Sequence, residues 1–263
     1  MFSANKNKVT EIGNGIDQFF PIVPNSTLLQ QQPVTVKVGL PLGTFWGYKS
    51  DGIFQTQEEV NTQPKINSLA NTRIGDRRYV DTNGDWVITA TDKVSLGTSQ
   101  PKFVASFSNT VLYHDFDLNF SFQGSYGGKI FNALKQQLEI STLGTNASTA
   151  LLDRWTPANP SSEIPRATSS PLGIVTERYV EDASFLRLKT ITLGYTLPKG
   201  IASKIGTKSI KVYVSAENLF TWTKYTGFDP EVSTFEQNNL YPGIDIGSYP
   251  NSKTFLTGIN VTF

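Results

Sequence analysis

Residues 116–125 read FDLNFSFQGS, and this stretch decides the fold. Phe116, Leu118, Phe120 and Phe122 alternate with Asp117, Asn119, Ser121 and Gln123. Side chains of a β-strand point alternately to opposite faces, so one face here is wholly apolar and the other wholly polar. Just upstream, Phe103, Ala105, Phe107 and Val111 alternate with Ser106, Ser108 and Thr110. The Tyr113-His114-Asp115 link between them is short enough for a tight hairpin.

Working outward, the same period of two recurs along the chain, whereas long amphipathic helical patterns are scarce. Near the end of the chain, Phe255, Thr257, Ile259, Val261 and Phe263 share one face, opposite Leu256, Gly258, Asn260 and Thr262. LKTITLGYTLP (188–198) and SIKVYVSAENLF (209–220) flank a short Pro/Gly connection at 198–207. Val34, Val36 and Val38 alternate before a Gly-Leu-Pro-Leu-Gly turn, and TFWGYKSDGIF (44–54) follows. With FSANKNKVTEI (2–12), eight strands are expected. Connections at about 13–30, 56–101, 126–183 and 221–252 are long and polar, while those at 39–43, 113–115 and 198–207 are short. Long and short alternate strictly, which is the habit of an outer-membrane barrel with short periplasmic turns and long external loops. A soluble antiparallel domain shares the alternation of faces but has no reason to keep its long loops at one end.

Composition narrows the function classes. Of 263 residues 17% are charged and 12% aromatic, with 17 Phe and 10 Tyr. The net charge of +1 leaves no cationic footprint for nucleic acid. No cysteine is present, so disulfides, thiolate metal sites and cysteine nucleophiles are excluded, and the single histidine, His114, sits in an expected turn. Apolar runs are far shorter than the roughly 20 residues of a membrane-spanning helix, so any crossing is by strands. Residues 1–12 lack the pattern of a secretory signal, leaving either a cytoplasmic chain or a fragment whose export signal lies upstream.

Several phrases together resemble the C-terminal region of SusC/RagA-type TonB-dependent outer-membrane transporters. They are VGLPLGTFWGYKSDGIFQT, GDRRYVDTNGDWVITATDKVSLGTSQPKF, RYVEDASFLRLKTITLGYTLP, IKVYVSAENLFTWTKYTGFDPEV and FLTGINVTF, in this order from about residue 33 onward. The resemblance implies an all-β chain in which residues 1–263 form the C-terminal portion of a large barrel in the outer membrane of a Gram-negative bacterium. It also implies a plug and first strands outside this sequence, TonB engaged through that missing N-terminal region, and a SusD-like surface lipoprotein as lid. Oligosaccharides or peptides are the cargo it implies, with no enzymatic activity. Phe263 resembles the terminal aromatic by which insertion machinery recognises barrel proteins. The competing reading is a secreted calcium-dependent β-domain that binds carbohydrate.

The sharpest local motif lies in the 56–101 segment, which is expected to be an extracellular loop. Asp81, Asn83 and Asp85 supply oxygens at positions 1, 3 and 5 of an EF-hand-like loop, Val87 a backbone carbonyl at 7 and Asp92 a carboxylate at 12. Such a set suits Ca²⁺, a hard cation that takes six to eight oxygens. Two departures are visible. Trp86 stands where the sharp turn wants glycine, and Asp92 is shorter than the usual glutamate. Ile88 is expected to turn inward as an apolar anchor, and the ion to order a segment with little core of its own. The same residues also read as a metal-free Asp/Asn/Gly turn.

Asp229 and Glu231, in FDPEV, read as a loop anchor rather than as a catalytic pair, since a two-residue spacing fixes no catalytic geometry. Trp155 and Trp222 suit either sugar stacking or packing at the membrane interface and within loops, and packing is the favoured reading. Asn-x-Ser/Thr triplets begin at Asn25, Asn119, Asn146 and Asn260, as chance allows in a chain so rich in these residues.

Overall fold

The computed structural model describes residues 1–22, 31–66, 71–140, 146–160, 163–168, 173–235 and 238–263. Asn25 and part of the expected 13–30 connection lie outside the described residues. The backbone is an antiparallel meander of six strands: β1 (Phe2–Ser3), β2 (Phe103–Tyr113), β3 (Phe116–Tyr126), β4 (Phe185–Thr196), β5 (Ser209–Thr223) and β6 (Thr254–Thr262). Each pairs with its sequence neighbour, and β1 and β6 are the free edges, so the sheet is open.

Register sorts the side chains as the alternation requires. Phe107 faces Phe122, Val111 faces Leu118 and Tyr113 faces Phe116 across β2 and β3. Leu118 then opposes Leu193, which opposes Val214, so the apolar stripe continues strand by strand. On β6 it is completed by Phe255 opposite Ala216 and Ile259 opposite Val212. No second sheet or helix covers this face among the described residues, and Phe107, Phe116, Leu193, Val214 and Ile259 are exposed.

Aromatic rings border the apolar face at both ends. At one end Phe2 packs on Phe103, Phe103 stacks on Tyr126, and Phe220 stacks on Trp222. At the other, Phe116 packs against Tyr195. Such paired girdles mark the two membrane interfaces of transmembrane barrels. Trp222 belongs to the first girdle, as its packing reading requires.

The opposite face is polar and cross-linked. Lys211 Nζ donates to Asp117 Oδ1 at 2.8 Å, Asn119 donates to Asp117, Thr110 to Asn119, and the hydroxyls of Thr192 and Ser215 meet at 2.7 Å. Gly194 lies between Asp117 and Lys211, where a Cβ would come within 2.4 Å of both side chains.

Connections at one end are tight. His114 and Asp115 turn β2 into β3, with His114 in the left-handed region at φ 50° and its ring against Tyr113. Pro198 and the helix Lys199–Lys204 link β4 to β5. The three connections at the other end, 4–102, 127–184 and 224–253, are long and pack on one another.

Two expectations are corrected here. Residues 34–38 and 44–54 are not wall strands, so six of the eight expected strands lie in the main sheet. Val34–Lys37 and Thr44–Gly47 sit in a smaller sheet in the order Gln18–Phe19, Val34–Lys37, Thr44–Gly47, Val94–Thr98, and Ser50–Ile53 pairs separately with Arg77–Tyr79. Likewise only Phe2–Ser3 of the 2–12 segment pairs with the wall. The physical reason is coverage of both faces: Val34 and Phe45 are buried, and so are the polar Thr35 and Thr44 beside them.

The second correction concerns the loops, which have a substantial core. Val34, Phe45, Phe131, Val175, Tyr179, Tyr241 and Ile244 form one cluster, drawn from all three long connections. Tyr48, Ile66, Ile88 and Ile174 form another. A three-stranded sheet, Val180–Asp182, Lys129–Asn132, Ile244–Asp245, ties the second connection to the third.

Candidate functional site

Two constellations stand out: the acidic loop at 81–92 within the packed loop layer, and an ion-pair cluster that pins the third connection to the polar face of the wall.

In the acidic loop, one carboxylate oxygen each of Asp81, Asp85 and Asp92 lies within 4.8 Å of the others. The backbone is wrapped by its own side chains. Asp81 accepts the Gly84 and Trp86 N–H groups, both at 2.7 Å, and Asp85 accepts that of Val87 at 2.9 Å. Asn83 accepts the Asp85 N–H at 3.0 Å and donates to Asp85 Oδ2. Asp92 is buried at the end of the short turn Ala90–Asp92 and completes its capping box, accepting from Thr89 N at 2.8 Å and also from Thr82 N at 2.9 Å.

Burial raises the Asp92 carboxyl pKa, but hydrogen bonds from Thr89, Thr82 and Asn83 outweigh it and hold the group below its ordinary value. Trp86 takes φ 65° at the position where a glycine is expected, with its side chain 68% exposed. Ile88 is buried with Tyr48, Ile66 and Ile174, as its anchor role requires, and Lys65–Ile66 pairs in parallel with Val87–Ile88. The donor set is all oxygen, with three carboxylates converging, and it fits a hard divalent cation. The same oxygens also satisfy the loop's own N–H groups.

The second constellation centres on Arg187, on the polar face of β4 and almost wholly buried. Its Nη2 donates to Asp229 Oδ1 at 2.6 Å, Nη1 to Glu231 Oε2 at 2.7 Å and Nε to Thr221 Oγ1 at 3.0 Å. Asp229 also accepts from Glu231 N and from both the backbone and side-chain amides of Asn251. Glu231 Oε1 accepts from Gln123 of β3. Burial pushes the Asp229 pKa up, and this is outweighed by the Glu231 N–H, the Arg187 guanidinium and Asn251, leaving the carboxyl below its ordinary value.

Pro230 separates the two acidic residues, whose carboxylates both end on one guanidinium. They serve as a loop anchor. Arg187, Asn251 and Lys189 were not singled out from the sequence; the phrase SFLRLKT carries two cations in an otherwise half-apolar strand, and that was the available signal.

Trp155 is a packing residue. Its Nε1 donates to Gln55 Oε1 at 2.9 Å, and its ring fills the space above Gly75. In the third connection, burial and then the hydrogen bond to Asp245, at 2.6 Å, raise the pKa of Tyr225.

An open sheet with an apolar, girdled outer face, a polar inner face and a packed layer at one end defines a segment of the wall of a large transmembrane β-barrel. Over its whole length the chain is 34% identical to TonB-dependent receptor P3 and 36% identical to TonB-dependent receptor P26, both of Formosa agariphila. Over 98% of its length it is 26% identical to TonB-dependent receptor SusC of Bacteroides thetaiotaomicron. The chain belongs to the SusC/RagA-type TonB-dependent receptors, and it spans about a quarter of these relatives: 26% of P3 and of P26, and 23% of SusC.

Among solved structures, a chain of the RagAB peptide transporter superposes on all of this one with a TM-score of 0.76 at 24% identity. The RagAB peptide importer in its closed-closed state does so with a TM-score of 0.72 at 25% identity. In each case 26% of the solved chain is covered. No family model matches. The relatives are receptors and transporters, not enzymes.

Proposed function

We propose that this chain forms the C-terminal wall strands and external loop layer of an outer-membrane importer that takes up oligosaccharides or peptides. TonB supplies the energy through a region outside these residues, and a SusD-like lipoprotein covers the loop layer. The observation that carries the reading is the two-sided sheet: an uncovered apolar face bounded by aromatic girdles, backed by a polar face onto which the third long connection is folded. Hydrocarbon tolerates only a strand whose backbone bonds are made to neighbouring strands, and a wet lumen favours the cross-linked polar face. A secreted carbohydrate-binding domain would leave the same apolar face in water, which disfavours that alternative.

The acidic loop is proposed as a Ca²⁺ site, with Asp81, Asn83, Asp85 and Asp92 giving side-chain oxygens and Val87 its carbonyl. The ion would neutralise three converging carboxylates and stiffen the outer layer where a lid docks. The experiment is uptake by cells that express the full-length receptor with or without its lipoprotein partner. Loss of import on deletion of the receptor supports the reading; a receptor that fractionates away from the outer membrane overturns it.

A further inference from the structure

Beside the Arg187 cluster lies an open cleft of about 850 Å³, walled by the third connection and, from the sheet, by Lys189. Lys189 reaches it because of a β-bulge. Ser121 pairs with Thr190 but Phe122 with Leu188, which leaves Lys189 as an extra residue. The alternation therefore resets, and Arg187, Lys189 and Thr190 all face inward while Leu188 and Ile191 face outward. Bulges recur next to binding sites because they re-aim a side chain in this way.

The charge of Lys189 is available. It is exposed, and no ion pair among the described residues involves it. Glu231, the other charged residue on the cleft, has both carboxylate oxygens committed, one to Arg187 and one to Gln123. The remaining lining is rich in hydroxyls and amides. Ser233 accepts from Gly243 N, which leaves its own hydroxyl hydrogen to donate, and Asn238 accepts from Leu240 N through Oδ1, which leaves its amide nitrogen to donate. Tyr249 stands 89% exposed at the rim.

Resting on the importer reading above, we propose that this cleft is a cargo subsite for an anionic sugar, whose carboxylate or sulfate pairs with Lys189. The neighbouring hydroxyl and amide groups take up sugar hydroxyls, and the Tyr249 ring offers a stacking surface. A lone ammonium acts as a point charge and does not distinguish carboxylate from sulfate, so both belong to the expected ligand set.

The test is direct binding to the purified full-length receptor in detergent, by calorimetry at low salt. The probes are an oligogalacturonate, a sulfated galactose oligomer, the uncharged galactose oligomer and a glutamate-rich peptide. The wild type is expected to bind at least one anionic sugar about tenfold more tightly than the uncharged one, in line with a charge-assisted hydrogen bond. Lys189→Gln should erase that preference, and Lys189→Arg should keep it.

Absence of any preference for the anionic sugars, an unchanged preference in Lys189→Gln, or tighter binding of the acidic peptide overturns the proposal. A Lys189→Gln protein that melts earlier yet keeps its preference shows that Lys189 only balances the second carboxylate on Arg187, and also overturns it. Uptake of the uncharged oligomer by cells is scored separately. An active importer without the preference leaves the importer reading standing and removes this one.

Discussion

Arg187 and Asp229, 42 residues apart, meet at 2.6 Å in a buried pair that joins the barrel wall to the third long connection. Removing the cation strands two carboxylates, one of them buried. Arg187→Met in the full-length receptor is expected to cost about 3–5 kcal/mol, the usual penalty for breaking a buried pair from one side. Because the fault is local, it should appear first as protease cleavage within 224–253. Adding Asp229→Asn and Glu231→Gln to the same protein should recover part of the loss. Unchanged protection in Arg187→Met would show that the loop is held by other contacts.

The pH dependence follows from the depressed Asp229 carboxyl. Its folded value lies below the unfolded one, so its contribution is fully present above the unfolded pKa of about 3.9 and is lost as pH falls through the folded value. Protection of 224–253 should therefore be flat from neutral pH to about 5 and should fall only below about 4. Asp92 is depressed in the same direction, and the acidic loop should loosen in the same window. Asp229→Asn should start weaker and show less of the acid-dependent fall.

Gly194→Ala probes the ion pair across the polar face. The new methyl would overlap Asp117 Oδ2 and Lys211 Cε, the far ends of flexible side chains, so the pair should part while the strands stay in register. The expected cost is about 1 kcal/mol, the upper end for an ion pair of a partly exposed ammonium, here set against a nearly buried carboxylate. Asp117→Asn on the Gly194→Ala background should then add almost nothing, whereas on the wild type it should cost as much as Gly194→Ala. Additive losses in a double-mutant cycle would sink the idea.

For the acidic loop, calorimetry on the full-length receptor should give Ca²⁺ binding near the roughly 10⁻⁴ M of extracellular modules, abolished by Asp81→Ala or Asp85→Ala. Trp86 holds a left-handed backbone that costs a residue with a side chain on the order of 1 kcal/mol or more. Part of that strain is already present without the ion, since Asp81 holds the Trp86 N–H. Trp86→Gly should therefore stabilise the loop in both states and raise affinity by no more than about fivefold, the equivalent of ~1 kcal/mol. Heat no greater than that of the Asp→Ala controls at millimolar Ca²⁺ would mean that the loop is a turn and nothing more.

The wall was legible where one face meets lipid and the other meets polar groups. Phe116 to Gln123 alternate without a break, and the structure keeps that order. Residues 34–54 misled because valine and threonine alternate there too, yet Thr35 and Thr44 are as buried as Val34 and Phe45. Local periodicity does not reveal a second covering layer. The Arg187 cluster was half legible: FDPEV displayed two carboxylates, but their cation lies on another strand, and no spacing rule links residue 187 to residues 229 and 231. The bulge at Lys189 was hidden for the same reason, since it exists only relative to the partner strands.

The loop layer is stitched from connections that are remote in sequence. Ser50 N and Oγ both donate to Glu177, 127 residues away, and Phe131 is hydrogen-bonded through its backbone to Gly243. The wall hairpins 103–126 and 185–223, in contrast, pair across short turns, while Phe2 reaches Ala105 only across the whole first connection. Contacts between distant segments form slowly because loop closure must be met before any contact rewards it. The layer is thus expected to become native after the wall hairpins. On the importer reading proposed above, a newly made receptor is then expected to pass through a stage in which its wall is zipped and its loop layer still open, and a lid protein would engage only after that stage has ended.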